Sequence, residues 1–225
     1  LDVAGRAHCG NLARPVQSLL NDRRAAVREA AMRAVGQMDS ALGDELVELY
    51  GDPDPKVVIA AISATVDLQD RSAVPRLISM LRQPGPSRFH AIRALGRLGS
   101  AEAAQPLREC YDSAAMHEKL DIVQALARIG PSWIVPYLKQ VYYKSELDLR
   151  RTAARGLIRT PGALSVEDLA GMASDPDWSI RGLAAGALSA SHGSPGRELL
   201  LKLGRDDEPI VAQIARLSLG DGHES

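Results

Sequence analysis

Apolar residues recur along this chain on a helical period, and the pattern itself repeats. In VREAAMRAVGQM (27–38), Val27, Ala30, Ala31, Ala34, Val35 and Met38 fall on one stripe of a helix turning about 100° per residue. Glu29, Arg33 and Gly36 point away from that stripe. The same layout returns from residues 57, 87, 118, 149, 180 and 211, as VVIAAISATVDL, SRFHAIRALGRL, EKLDIVQALARI, LRRTAARGLIRT, IRGLAAGALSAS and VAQIARLSLGDG. Seven copies at near-constant spacing predict seven copies of one structural unit.

The segments between them repeat too, each with an i, i+3, i+4 apolar triplet that marks one helix face. The triplets are Val16/Leu19/Leu20, Leu46/Leu49/Tyr50, Leu77/Met80/Leu81, Leu107/Cys110/Tyr111, Leu138/Val141/Tyr142 and Leu169/Met172/Ala173, followed by Leu200/Leu203 before Gly204. Prolines at 15, 75, 106, 136 and 195 sit near the starts of these segments, where a missing N–H costs little. The predicted unit is helix, short acidic or proline-containing turn, helix, short glycine-containing turn. One such pair cannot bury its apolar face alone, so the pairs must stack.

The turn and second helix carry a resemblance. DPDPKVV (52–58), DPDWSIR (175–181) and HAIRALGRLG (90–99) resemble HEAT repeats, in the compact form of phycobilin-lyase-type proteins. The resemblance spans residues 13–220. It implies an all-α, right-handed α-α superhelix of about seven helix pairs, a single solenoid domain over 13–220 between an N-terminal flank (1–12) and a tail (221–225). It further implies that the second helices line the concave surface. Asp22, Asp52, Asp175 and Asp206, with Arg28, Arg88, Arg150 and Arg181, resemble the polar ladder that ties successive HEAT turns together.

Composition agrees with helices: aromatics are only 4% of the 225 residues, too few for the alternating Val, Ile, Tyr and Phe of a β-sandwich. The formal net charge of −1 argues against a global field for nucleic acid. It conceals an asymmetry, because residues 76–160 hold fourteen Lys and Arg against seven Asp and Glu, between acidic ends. No apolar run approaches the roughly 18 residues of a membrane span. Two cysteines without metal spacing fit a reducing, cytoplasmic setting. A chain beginning at Leu1 is expected to be a segment of a longer protein.

Two features of the second helices nominate a surface. At the outward position of Glu29, three consecutive repeats carry Ile59, Phe89 and Leu120, an apolar strip that predicts a binding face unless neighbouring units bury it. Later repeats carry Arg151, Gly182 and Gln213 there. Arg93 and Arg155 share the position of Arg33, and Arg97, Arg128 and Arg159 share that of Gln37, a row suited to an acidic peptide or phosphates. The alternative is a solvated face with local ion pairs. Leu217, with Ile214 and Leu219, adds apolar surface to the last helix, compatible with self-association, a covering domain or a following repeat.

Sharper chemistry finds little support. HEAT-like deoxyhypusine hydroxylases hold iron with several His-Glu pairs, whereas His117-Glu118 and His223-Glu224 do not recur at equivalent positions. HEAT-like alkylpurine DNA glycosylases use tryptophans in a basic groove. Trp133 and Trp178 instead fall at helix starts, and the acidic ends oppose phosphate binding. No catalytic set for a bilin lyase stands out, and Cys110 occupies a core slot. The expected function is a non-catalytic protein-interaction scaffold without cofactor, taking a peptide or helix on its concave face, with Trp178 as an edge contact. Nucleic-acid binding through the basic middle is the runner-up, and a bilin-lyase-like role comes third.

Overall fold

The computed structural model describes residues 16, 18–37, 43–82, 85–130, 132–189 and 194–220. Among these, the regular structure is helical throughout. The chain divides into two compact units, residues 1–129 and 130–225.

In the first unit, α1 (Ala25–Val35), α3 (Pro55–Asp67), α5 (Pro86–Leu98) and α7 (Met116–Ile129) are the second helices of successive repeats. The first helices are α2 (Gly43–Glu48), α4 (Val74–Met80) and α6 (Ala104–Cys110). In the second unit, α8 (Val135–Lys144), α10 (Val166–Met172) and α12 (Ser194–Leu203) are first helices, paired with α9 (Leu147–Arg159), α11 (Trp178–Leu188) and α13 (Pro209–Leu219). Six complete pairs are described, with the second helix of a seventh ahead of them. Within each unit every second helix packs on the next, and each pair closes on its own first helix.

The stripes read from the sequence become the core. Val35, Ala61, Leu77, Ile92, Leu95 and Leu107 are sealed in the first unit, and Ile134, Leu138, Leu157, Ile180, Leu188 and Val211 in the second. Met38 and Cys9 lie outside the described residues. Helix starts follow local chemistry. Asp54 caps α3 by accepting from the Lys56 N–H, with Pro55 at the first position. Ser165 and Asp168 form a reciprocal capping box on α10.

Glycine sets how closely second helices approach. A Cβ on Gly96 of α5 would stand 2.6 Å from the Ala125 Cβ of α7, and one on Gly36, after α1, would stand 2.9 Å from the Ala64 Cα of α3. Both glycines occupy the outward position of the repeat pattern, so their smallness serves helix contact rather than turning.

The polar ladder is present. Arg28 donates through Nε and Nη2 to Asp52 at 2.7 and 2.8 Å, and through Nη1 to the Asp22 carbonyl at 2.7 Å. Arg181 repeats the arrangement with Asp206 and the Asp175 carbonyl. Arg150 reaches Asp175 at 3.4 Å. Arg88 departs from the pattern, pairing with buried Glu118 at 3.5 Å and donating to the Cys110 carbonyl at 3.3 Å. Where the repeat has Val58 or Ala212 instead of arginine, the side chain packs in the core.

Candidate functional site

The second helices of the first unit present a grid, because residues four apart on a helix share a face. Along successive helices the rows read Glu29-Arg33-Gln37, Ile59-Ser63-Asp67, Phe89-Arg93-Arg97 and Leu120-Gln124-Arg128. Described members of the second and third columns are exposed, whereas Ile59, Phe89 and Leu120 are half-buried. An open apolar strip is therefore not what the structure presents. Side-by-side packing of second helices sinks the first column between neighbours, and long polar side chains complete the cover. The Phe89 ring meets His90 edge-on at 5.4 Å and His117 at 5.5 Å, and the Arg93 guanidinium sits 5.5 Å from its centroid.

Arg93 and Arg97, one turn apart on α5, lean in opposite directions. Arg93 approaches Asp121 of α7 at 3.8 Å and Arg97 approaches Asp67 of α3 at 3.7 Å, both beyond hydrogen-bond length. Their side chains remain 57% and 52% exposed, so most guanidinium donors face solvent. Arg128 is exposed and closes no ion pair among the described residues. Two hollows flank the arginines. One of about 250 Å³ lies between α3 and α5 against Ile59, Ser63 and His90, and one of about 280 Å³ lies between α5 and α7 against Gly96, Asp121, Gln124 and Arg128. Arg93 and Arg97 line both.

Burial, helped by nearby Arg93, lowers the pKa of His90, which keeps the ring neutral at pH 7. Burial raises that of Asp121, against the pull of Arg93 and His117. Asp67, His90, Asp121 and Gln124 were not nominated by the sequence. The signal for Asp67 and Gln124 was their column position, shared with Arg97 and Arg93.

The second unit treats its arginines differently. Arg151, nominated as outward, is bound by Asp177, accepting from Nε at 3.1 Å and Nη2 at 2.5 Å. That bidentate pair satisfies much of its fork, so Arg151 is less available to a partner than the sequence implies. Arg155 and Arg159 are exposed on the same helix. Trp178 opens α11 at the slot of Pro55 and Pro209 and is 43% exposed. Leu217 on α13 is 59% exposed, while Ile214 and Leu219 are half-buried.

Glu118 and Cys110 are structural here. Glu118 accepts from the Ala115 N–H at 3.1 Å besides pairing with Arg88, so it anchors the start of α7. Cys110 is half-buried, its thiol 3.0 Å from the Pro106 carbonyl, and burial raises its pKa and suppresses the thiolate. Trp133 is 47% exposed in the 3₁₀ turn Ser132–Ile134. His223-Glu224, the N-terminal flank and the tail lie outside the described residues. No cluster of three or more His, Cys, Asp or Glu able to hold a metal occurs among the described residues. None of the described helices is long and apolar enough to cross a membrane.

The sequence profile of HEAT repeats matches residues 12–88, 43–127 and 135–220. The chain belongs to the HEAT-repeat family. Its similarity to solved HEAT-like structures is one of fold. The complex of CpcE and CpcF of phycocyanin lyase from Nostoc sp. PCC7120 contains a chain with a TM-score of 0.56 at 22% identity, over 93% of this chain and 87% of that one. An engineered protein has a TM-score of 0.59 at 21% identity, over 92% and 67%. None of the curated proteins compared matches the chain.

Proposed function

We propose that this chain is a non-catalytic binding scaffold that takes an acidic segment of a partner protein across the second helices of its first unit. The observation that carries this reading is the pair of hollows sharing Arg93 and Arg97, whose guanidiniums stand near Asp121 and Asp67 without forming hydrogen bonds to them. A carboxylate arriving from a partner finds free donors on Arg93, Arg97 and Arg128, and bidentate pairing there is stronger than the long internal contacts it replaces. Apolar side chains of the partner seat beside Ile59, Phe89 and Leu120. Arg151, Arg155 and Arg159 extend the cationic character of the second helices in the other unit, with Arg151 already held by Asp177.

A labelled Glu-rich amphipathic peptide, titrated with the protein and followed by fluorescence anisotropy, tests the reading. Its lysine counterpart and a DNA duplex are the comparisons. The acidic peptide should bind, and the double variant Arg97→Glu/Arg128→Glu, with unchanged circular dichroism, should weaken it by about tenfold or more. Binding of the duplex in preference to the acidic peptide, collapsing with salt, would sink this reading in favour of nucleic-acid recognition.

A further inference from the structure

Among the described residues, exposed large apolar side chains concentrate on the second unit, and three of them form a row. Leu147 opens α9, Trp178 opens α11, and Ile210 follows Pro209 at the start of α13. They are 38%, 43% and 49% exposed. Because α9 packs on α11 and α11 on α13, with packed helices about 8–10 Å apart, the three line one edge of the unit. The repeat does not need them there. The slot of Leu147 and Trp178 is filled by Ala25, Pro55, Gly85 and the exposed Met116 in the first unit and by Pro209 in the last repeat, so only in the second unit do large apolar residues follow one another there.

The tryptophan stands on a heavily tied turn. Asp177, immediately before it, accepts from Arg151, from the Ser179 hydroxyl and from the Ile180 N–H. Asp175 accepts from the Tyr142 hydroxyl at 2.9 Å and from the Asp177 N–H at 2.8 Å, while Arg181 donates to the carbonyls of Asp175 and Pro176. An indole on so fixed a backbone is pre-organised, and such aromatic anchors lose little freedom on binding.

Charge decides what it meets. Glu146, Asp148, Asp207 and Glu208 flank the row, are exposed, and close no ion pair among the described residues. Lys144, Lys202 and Arg205 are exposed cations near the same edge, so the four acids are in excess.

We infer that the Leu147-Trp178-Ile210 edge is a docking surface for a basic amphipathic helix of a partner protein. An apolar residue at every seventh position of a helix advances about 10.5 Å, close to the upper end of the step from one packed helix to the next. Leucine-sized side chains at i, i+7 and i+14 then seat beside Leu147, Trp178 and Ile210. Lysines and arginines on either flank meet the four carboxylates. This surface is independent of the acidic-segment site, since it lies in the other unit and carries the opposite charge.

The test uses a synthetic helix of about 18 residues with leucines at i, i+7 and i+14 and lysines around them. Fluorescence of Trp178, isolated by Trp133→Phe, and anisotropy of the labelled peptide are the readouts. Saturable binding with a blue shift of Trp178 is expected, with none for the peptide carrying glutamate in place of lysine. Trp178→Ala should weaken binding by about tenfold or more. Leu147→Glu/Ile210→Glu and Asp148→Lys/Glu208→Lys should do the same without touching the tied turn, and Arg97→Glu should leave it unchanged. Absent binding of the lysine peptide, equal binding of the glutamate peptide, or undiminished binding by the Leu147/Ile210 and Asp148/Glu208 double variants overturns the inference.

Discussion

Arg181 on α11 bridges to Asp206 of the next repeat, with Nε 2.7 Å from one carboxylate oxygen and Nη2 2.8 Å from the other. Its remaining donor, Nη1, holds the carbonyls of Asp175 and Pro176 at 3.0 and 3.1 Å. One side chain thus locks its own turn and fastens it to its neighbour. Arg181→Met should destabilise the protein by about 2–4 kcal/mol in denaturant unfolding, because part-buried Asp206 loses its charged partner, keeping only the Glu208 N–H, and the Asp175 carbonyl loses its donor. Arg181→Lys should not restore it, since an ammonium cannot span both oxygens and both carbonyls. A double-mutant cycle with Asp206→Asn that showed no coupling would contradict this account.

Gly96 predicts a loss where helix propensity alone predicts a gain. Alanine in mid-helix is favoured over glycine by about 0.5–1 kcal/mol. A Cβ there would press on backbone and Cβ of Ala125, neither of which can swing aside. Gly96→Ala should therefore lower stability, and Gly96→Val should cost about 1–3 kcal/mol or more through overpacking. Thermal melts of the pair, with Gly186→Ala as the control at a glycine with nothing within 4 Å, separate packing from propensity.

Tyr142→Phe removes one of three donors to buried Asp175. Burial first, then the adjoining carboxylate, raises the phenol pKa, so the hydroxyl stays protonated and donates. The Asp177 N–H and Arg150 remain in place, which limits the loss to about 1–2 kcal/mol. Chemical unfolding at neutral pH reads this directly.

Acid should unfold the protein through the ladder. Hydrogen bonds from Arg28, Arg151 and Arg181 are the leading cause holding Asp52, Asp177 and Asp206 below the ordinary aspartate value of 3.8, and Arg24 lowers Asp22 to about 2. Carboxylates with depressed folded-state pKa values stabilise fully above the unfolded value, and that contribution is lost as pH falls through the folded one. The melting temperature should therefore be insensitive to these groups above about pH 5 and fall from pH 3.8 toward 2 and below. Asp206→Asn should flatten that fall while lowering stability at pH 7.

The outcome at DPDWSIR (175–181) illustrates what could be read in advance. Its aspartate and arginine recur at repeat spacing, and a side chain that recurs with the fold is set by the fold. Asp175 and Arg181 accordingly sit in the ladder, and the tryptophan, which departs from the pattern, stands exposed. The Ile59-Phe89-Leu120 column shows the opposite case. Projection of a single helix places these residues outward, but a neighbouring helix at contact distance converts outward into half-buried. The pairing of Arg151 was hidden for a related reason: its partner Asp177 lies 26 residues away and only the stacking of repeats brings it near.

The sequence by itself determined that the chain is an array of helix pairs, roughly where the turns between them fall, which faces are apolar, and which acids and arginines recur with the repeat. These follow from local periodicity and capping, which need no knowledge of distant residues. Only the tertiary structure decided how close neighbouring helices come, and hence that Gly96 and Gly36 are contact points, that Phe89 is half-buried, and that Arg93 and Arg97 keep more free donors than Arg151. Exposure and pairing are properties of the space between repeats.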